Sequence, residues 1–187
     1  AVADAKAADT PEKRRGVGIA WGGFNVTEGG GDSAEVALEL MPGNKIRKYD
    51  TWHAMGQGAT TGSLVVTLEA LKEMHLTPED IQLIQNDTKT CPDTGMAGAS
   101  RSLYMDGNAT IIAANKLLAA MRKEDGTLRT YDEMKAEGIE TKYLGRYETN
   151  TTPGLCRLDP NTGIGDPTPA FTYCLNLAEV EVDTKTG

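Results

Sequence analysis

KIRKYDTWHAMGQGATTGSLVVTLEALKEMHLTPEDIQLIQ, residues 45–85, reads as strand, glycine loop, helix and strand in one run. Lys45–Trp52 has strand character, and Gly56-Gln57-Gly58 breaks it. From Ser63 the apolar period becomes helical: Leu64, Leu68, Leu71 and Met74 share a face, with Val65 beside them. Thr77 as N-cap and Pro78 at the first helical position predict one short turn. Ile81–Gln85 is then a strand. A helical connector of this length between strands favours a crossover and some parallel pairing.

Working upstream, Ser33–Met41 alternates Ala34, Val36, Leu38 and Leu40 against Ser33, Glu35, Ala37 and Glu39, a half-buried strand. Pro42-Gly43-Asn44 is a turn, so 33–52 forms a hairpin that delivers the chain to Gly56. Glu28–Gly31 is a loop. Val17–Trp21 is a strand, with Gly22-Gly23 as a bulge or a close-approach point. Residues 1–14 form a polar lead-in with room for a short helix. They read as the end of an upstream segment, and 15–187 read as the domain proper.

Downstream, Asn86–Thr90 is small and polar, and Cys91–Met96 is irregular. Ala97–Ser102 opens a long helix whose face runs Leu103, Gly107, Ile111, Ala114, Leu118 and Met121, with Thr110 and Leu117 alongside. Gly126 ends that element. Thr130 with Glu133 three residues on makes a capping box for a short helix. Glu140–Tyr147 and Ala170–Val182 are strands, separated by a loop over Thr149–Pro169 that is long for a compact domain. Residues 183–187 read as a turn that a partner strand should follow. The fold class is α+β, a mixed β-sheet with helices packed on it.

The 187 residues suit one domain, and the net charge of −8 argues against nucleic acid and against a membrane surface, both of which need a basic face. No run of about 18 apolar residues exists to span a bilayer, and the charged, Ala-rich start is not a secretory signal. Cys91, Cys156 and Cys174 are sparse, no CxxC occurs, and the two histidines lie far apart. Protein ligands for zinc or an iron–sulfur cluster are therefore not indicated. A reducing, cytoplasmic compartment fits this cysteine usage.

The glycine loop is the place for chemistry. Glycine lets another molecule approach the backbone, and the Gln57 amide both donates and accepts. The N–H groups opening the following helix have no intrahelical partner. Such a bend can hold a heteroatom-rich cofactor without a covalent bond. It is also what an ordinary strand-to-helix turn with a solvated glutamine looks like. Neither GxGxxG nor a Gly-Lys-Ser/Thr follows a strand, which disfavours a Rossmann or P-loop site.

Arg15-Gly16, Met55-Gly56-Gln57-Gly58, Asn86-Asp87-Thr88, Ala97-Gly98-Ala99-Ser100 and Ala178–Val182 occur in an order and spacing that resembles the molybdenum hydroxylases of the xanthine oxidase family. The runs Asn86–Pro92 and Thr130–Met134 look most like the bacterial aldehyde oxidoreductase branch. The resemblance covers nearly everything from Arg15 onward. Family members are much longer, with two [2Fe–2S] clusters and a large molybdopterin part, and this chain is similar to one internal domain of that part.

The resemblance implies aldehyde oxidation to carboxylic acids with water-derived oxygen by the full-length parent, a homodimer, while the isolated fragment is inactive. It implies molybdenum on molybdopterin in the cytosine dinucleotide form, with no protein side chain as metal ligand. Gly56, Gln57 and Gly58 would wrap the pterin, with the Gln57 amide bonded to it. Gly98, Ala99 and Ser100 would lie beside the metal end. Arg101 would balance anionic charge nearby or form a surface salt bridge. Phe24 would line the substrate channel or pack in the core. Trp52 and His53 precede the motif and are expected to be packed or hydrogen-bonded. Glu179 and Glu181 receive no role. The general-base glutamate lies outside this chain, so no catalytic residue is assigned. A purine or nicotinate-type hydroxylase, and a non-catalytic binding or assembly module, are the alternatives.

Overall fold

The computed structural model describes residues 2–26, 31–149, 159–165, 168 and 170–187. The chain divides into two compact units, residues 1–24 with 171–187, and residues 25–170.

The first unit holds helix α1 (Val2–Ala7) and most of strands β1 (Lys13–Val26) and β6 (Ala170–Asp183), which pair as a two-stranded sheet. Thr184 N–H donates to the Glu12 carbonyl, and Glu181 sits between Lys13 (2.6 Å) and Arg15 (2.7 Å), so the strands run in opposite directions. The strand expected at Val17–Trp21 is thus longer. It begins inside the stretch read as a lead-in and continues through Gly22-Gly23.

The second unit carries a four-stranded sheet in the order β4-β3-β2-β5. Strands β2 (Ser33–Met41) and β3 (Lys45–Asp50) form the expected hairpin, with Leu40 opposite Ile46. Strand β5 (Lys142–Glu148) pairs antiparallel on the other edge of β2, with Val36 opposite Gly145. Strand β4 (Ile81–Gln85) pairs parallel with β3, Ile46 opposite Ile81 and Asp50 opposite Gln85. The crossover between them is helix α2 (Ala59–Ala70). Helix α3 (Arg101–Met121) lies across β2 and β5, and the short helix α4 (Tyr131–Ala136) carries the predicted capping box, Thr130 accepting from the Glu133 N–H. A mixed sheet with helices on it is the architecture the sequence indicated.

The core follows the alternation of β2. Ala34, Val36, Leu38 and Leu40 are fully buried. Leu38 and Leu40 meet Ile46, Leu71, Ala113, Leu117 and Met134, while Ala34 and Val36 meet Met105 and Ala109. Burying such side chains contributes roughly 1.5–3 kcal/mol each.

Two helical faces differ from the expectation. Helix α2 begins at Ala59 rather than Ser63, and Val65 is exposed. On α3 the expected Gly107, Thr110, Ala114, Leu117, Leu118 and Met121 are buried, but Leu103 and Ile111 are 58% and 45% exposed, and Met105, Ala109 and Ala113 are buried beside the expected face. The burial of Ala109 and Ala113 follows from Gly145 on β5. A Cβ there would collide with the Ala109 carbonyl and lie 2.6 Å from the Ala113 nitrogen, so the helix backbone itself rests on the strand. The small residues Ala109 and Ala113 face that contact.

The loop expected over Thr149–Pro169 falls mostly on residues 150–158, 166–167 and 169, outside the described residues, as does Cys156.

Candidate functional site

Strands β3 and β4 end side by side at Asp50 and Gln85, so both connections leave the sheet from the same edge. In open sheets with parallel strands, ligands bind outside these carboxyl ends. Each connection feeds a helix, and the two helices run together. A Cβ on Gly62 would lie 3.9 Å from Leu103, and one on Gly107 would lie 3.8 Å from Val66. Residues 62 and 66 of α2 therefore match residues 103 and 107 of α3 in the same order. The helices are parallel, and their N-termini open at one end.

Neither N-terminus is closed by a side chain. Gly58 caps α2 at φ 85° and Ser100 caps α3 at φ 52°, both without a side-chain hydrogen bond to the helix. The Arg101 N–H donates to the Gly98 carbonyl at 2.9 Å, and the remaining first-turn N–H groups and the positive ends of the two helix dipoles face the same space. Gly56, at φ 93°, and Gly58 are in the left-handed region, with nothing within 4 Å of where a Cβ would stand. The conformation calls for glycine, and the open space leaves the backbone approachable. Ala99 shares the left-handed region at φ 45°, so two consecutive non-glycine residues, Ala99 and Ser100, hold a strained conformation before α3. Met55 and Met96, one from each loop, are exposed beside them.

Gln57 is exposed, but its amide folds back on its own loop: the side-chain oxygen accepts from the Met55 N–H and Nε2 donates to the His53 carbonyl at 3.2 Å. In this state the glutamine braces the bend, with one amide hydrogen and one lone pair still free. Trp52 is buried under Gly62, and its indole N–H has no partner among the described residues; His53 is exposed.

Arg101 forms the salt bridge that was one of its two sequence readings, with Asp32, but inside the fold rather than at the surface, being only 4% exposed. Nε and Nη2 grip the Asp32 carboxylate at 2.7 and 2.8 Å. Nη2 also donates to the Ser33 carbonyl at 2.8 Å, and Nη1 donates to the carbonyls of Thr94 at 2.9 Å and Met96 at 2.6 Å. All five N–H donors are occupied, so the guanidinium ties the second loop to the Asp32 carboxylate. Phe24 lies in the other unit and is half exposed, which removes the core-packing reading for it.

Beneath the loops lies a feature that the sequence reading missed. Period-two alternation from Ile46 carries Lys48 and Asp50 into the core, and both are fully buried. The Lys48 ammonium stands 2.7 Å from Asp106 and 3.3 Å from Asp50. Asp106 also accepts from Thr110 at 3.2 Å, while its second oxygen is buried without a partner among the described residues. Burial, and then the Asp50 charge, push the Asp106 carboxyl up to about 6 against the pull of Lys48. A raised folded value stabilises the fold below the ordinary carboxylate range, and that stability is lost as pH rises through about 6. Asp106→Asn is expected to flatten this slope: unfolding midpoints measured at pH 5 and 7.5 should separate less in the variant than in the wild type, and equal separations would refute the assignment.

The fold and this end of it define a class: a domain that presents two side-chain-poor loops, each opening a helix, to one extended polar group. The chain belongs to the molybdopterin cofactor-binding domain family, which it matches over residues 1–187. It is 36% identical over 187 residues, all of this chain and 20% of the relative, to the aldehyde oxidoreductase of Megalodesulfovibrio gigas. It is 28% identical over 136 residues, 71% of this chain and 10% of the relative, to the xanthine dehydrogenase/oxidase of Felis catus. The solved structure of the Desulfovibrio gigas aldehyde oxidoreductase superposes with a TM-score of 0.86 at 35% identity, covering 100% of this chain and 20% of that one. The chain thus spans about one fifth of the relative it matches over its whole length. The residues present fit a molybdopterin: space beyond Gly56 and Gly58, uncapped helix N–H groups, and small side chains at Gly98, Ala99 and Ser100.

Proposed function

We propose that this chain is the cofactor-binding unit of a molybdenum hydroxylase that oxidises aldehydes to carboxylic acids with oxygen derived from water. The observation that carries the reading is the pair of uncapped, parallel helix N-termini opening at one end behind Gly56-Gln57-Gly58 and Gly98-Ala99-Ser100. The backbone N–H groups of the first turns bind the anionic and carbonyl-rich parts of the pterin. Gly56 and Gly58 admit it, and Gln57 exchanges its contacts within the loop for one to the cofactor. Ala99 and Ser100 leave room at the metal end, and Phe24 borders the substrate channel. When bound, the group supplies the two-electron chemistry, while the protein supplies position and electrostatics.

The pterin is the cytosine dinucleotide form. The [2Fe–2S] clusters and the general-base glutamate belong to other parts of a longer, cytoplasmic, homodimeric parent. Full-chain identity of 36% to an aldehyde oxidoreductase, against 28% over 71% of the chain to a xanthine dehydrogenase/oxidase, favours aldehydes over purines. The test is the purified full-length parent, analysed for molybdenum and pterin and offered aldehydes, purines and nicotinate. Aldehyde turnover with both present is expected. Turnover of purines alone overturns the substrate, and absence of pterin from protein made in a competent host overturns the reading as a whole.

A further inference from the structure

The carboxylate of Asp50 joins segments that the fold otherwise leaves separate. One oxygen accepts from the Trp52 N–H at 3.2 Å and from Gln85 Nε2 at 2.9 Å. The other accepts from Ser63 Oγ at 2.8 Å and faces Lys48 Nζ at 3.3 Å. Trp52 is the stem of the Gly56-Gln57-Gly58 loop, Ser63 lies in the opening turns of α2, and Gln85 is the last residue of β4. Gln85 passes the link on, its Oε1 accepting from Thr60 Oγ1 at 3.2 Å in the first turn of α2. The main-chain carbonyl of Asp50 accepts from the Asn86 N–H at 3.1 Å, where the second loop starts. One residue further on, Thr51 and Thr94 exchange hydrogen bonds, the Thr51 N–H reaching Thr94 Oγ1 at 2.9 Å and the Thr94 N–H reaching Thr51 Oγ1 at 3.1 Å. The two loops are therefore braced against each other at their bases by Asp50 and its neighbour.

We propose that Asp50 is a positioning residue for the cofactor: from beneath, its buried carboxylate fixes the spacing between the Gly56-Gln57-Gly58 loop and the start of the second loop. The proposal rests on the molybdopterin reading above. Asp50 touches no ligand itself. A carboxylate with four donors, one of them an ammonium, forms charge-assisted bonds that a neutral acceptor matches only in part. The neighbouring apolar core can hold α2 against α3 without it. What the core does not supply is a polar tie to the loop stems, and beyond Trp52 the first loop is exposed through Gly58.

The experiment uses the full-length holoprotein and reads the rate at which pterin is released on dilution, followed by pterin fluorescence, beside the unfolding midpoint. Asp50→Asn keeps the shape but turns an amide group toward Lys48 or Ser63. It is expected to release pterin about tenfold faster, the factor that one charge-assisted hydrogen bond carries. Ser63→Ala removes one hydroxyl from the same carboxylate and is expected to give about threefold, which keeps the test open if Asp50→Asn does not fold. Met134→Ala is the control. It hollows the apolar core in α4, near the Pro42–Asn44 turn at the opposite end of the hairpin, and is expected to lower the midpoint with release unchanged. The proposal is overturned if Asp50→Asn and Ser63→Ala release pterin at the wild-type rate. It is equally overturned if Met134→Ala, at an equal loss of midpoint, releases it as fast as they do. A wild-type holoprotein containing no pterin overturns the molybdopterin reading, and this proposal with it.

Discussion

Gly145→Ala is expected to detach helix α3 from the sheet, at a cost of about 3 kcal/mol or more, the upper end of what overpacking a core produces. The effect is steric rather than conformational. Gly145 is not in the left-handed region, and its neighbours are the carbonyl of Ala109 and the nitrogen of Ala113, which lies 2.6 Å from where the new methyl would stand. Both are main-chain atoms of α3, so no rotamer change makes room. The helix would have to rise from β5, and Ala34, Val36, Met105 and Ala109 would lose their packing together. Lifting α3 also moves Ser100 and the loop before it. Hydrogen exchange of the full-length protein should show lost protection across α3 and β5. Gly22→Ala is the comparison: a Cβ there has nothing within 4 Å, so its effect should stay within about 0.5 kcal/mol. Full protection in Gly145→Ala would show that the helix does not rest on this strand.

The same contact explains where the sequence was legible and where it was not. The hairpin, the crossover and the capping box at Thr130 follow from local signals: alternation in β2, a change of period after Gly58, and Thr–Glu spacing. The buried face of α3 follows only in part: Gly107, Ala114, Leu118 and Met121 are buried as their spacing indicates. Leu103 and Ile111 draw the eye as anchors, yet the buried side contains Arg101, Asp106 and Thr110 beside alanines. The reasons lie far off in sequence: Gly145 beneath Ala109, Lys48 opposite Asp106, and Asp32 opposite Arg101. Likewise, Lys48 and Asp50 carry no local sign of burial beyond the period of two from Ile46, which turns them inward. A buried charge becomes tolerable only through a partner, and here Lys48 and Asp50 face each other on one strand while Asp106, Ser63 and Gln85 come from other elements of the fold. Both glycine-bearing loops were visible from the sequence. That they open at one end follows from the parallel register of β3 and β4, which fixes Asp50 beside Gln85.

Arg101→Ala should loosen the second of those loops by about 3–5 kcal/mol, the range for breaking one side of a buried ion pair. Removing the guanidinium leaves the Asp32 carboxylate without its bidentate partner and the carbonyls of Ser33, Thr94 and Met96 without those donors. It also empties the space under Gly95, where a Cβ would now lie 2.8 Å from Nη2. The loop cannot easily absorb this, because Ala99 and Ser100 are held in left-handed conformations costing on the order of 1–3 kcal/mol each. Once the clasp on Thr94 and Met96 is gone, relaxing those two residues becomes favourable, and α3 loses the geometry of its first turn. Arg101→Lys separates charge from shape. A single ammonium can meet Asp32 but cannot also reach three carbonyls in the planar fork that arginine presents. It should therefore recover only part of the loss. Protease sensitivity of residues 93–100 and pterin content, measured in the full-length protein, should rank wild type above lysine and lysine above alanine. A lysine variant equal to the wild type in both would mean that charge alone suffices and that the five-donor clasp does not set the loop.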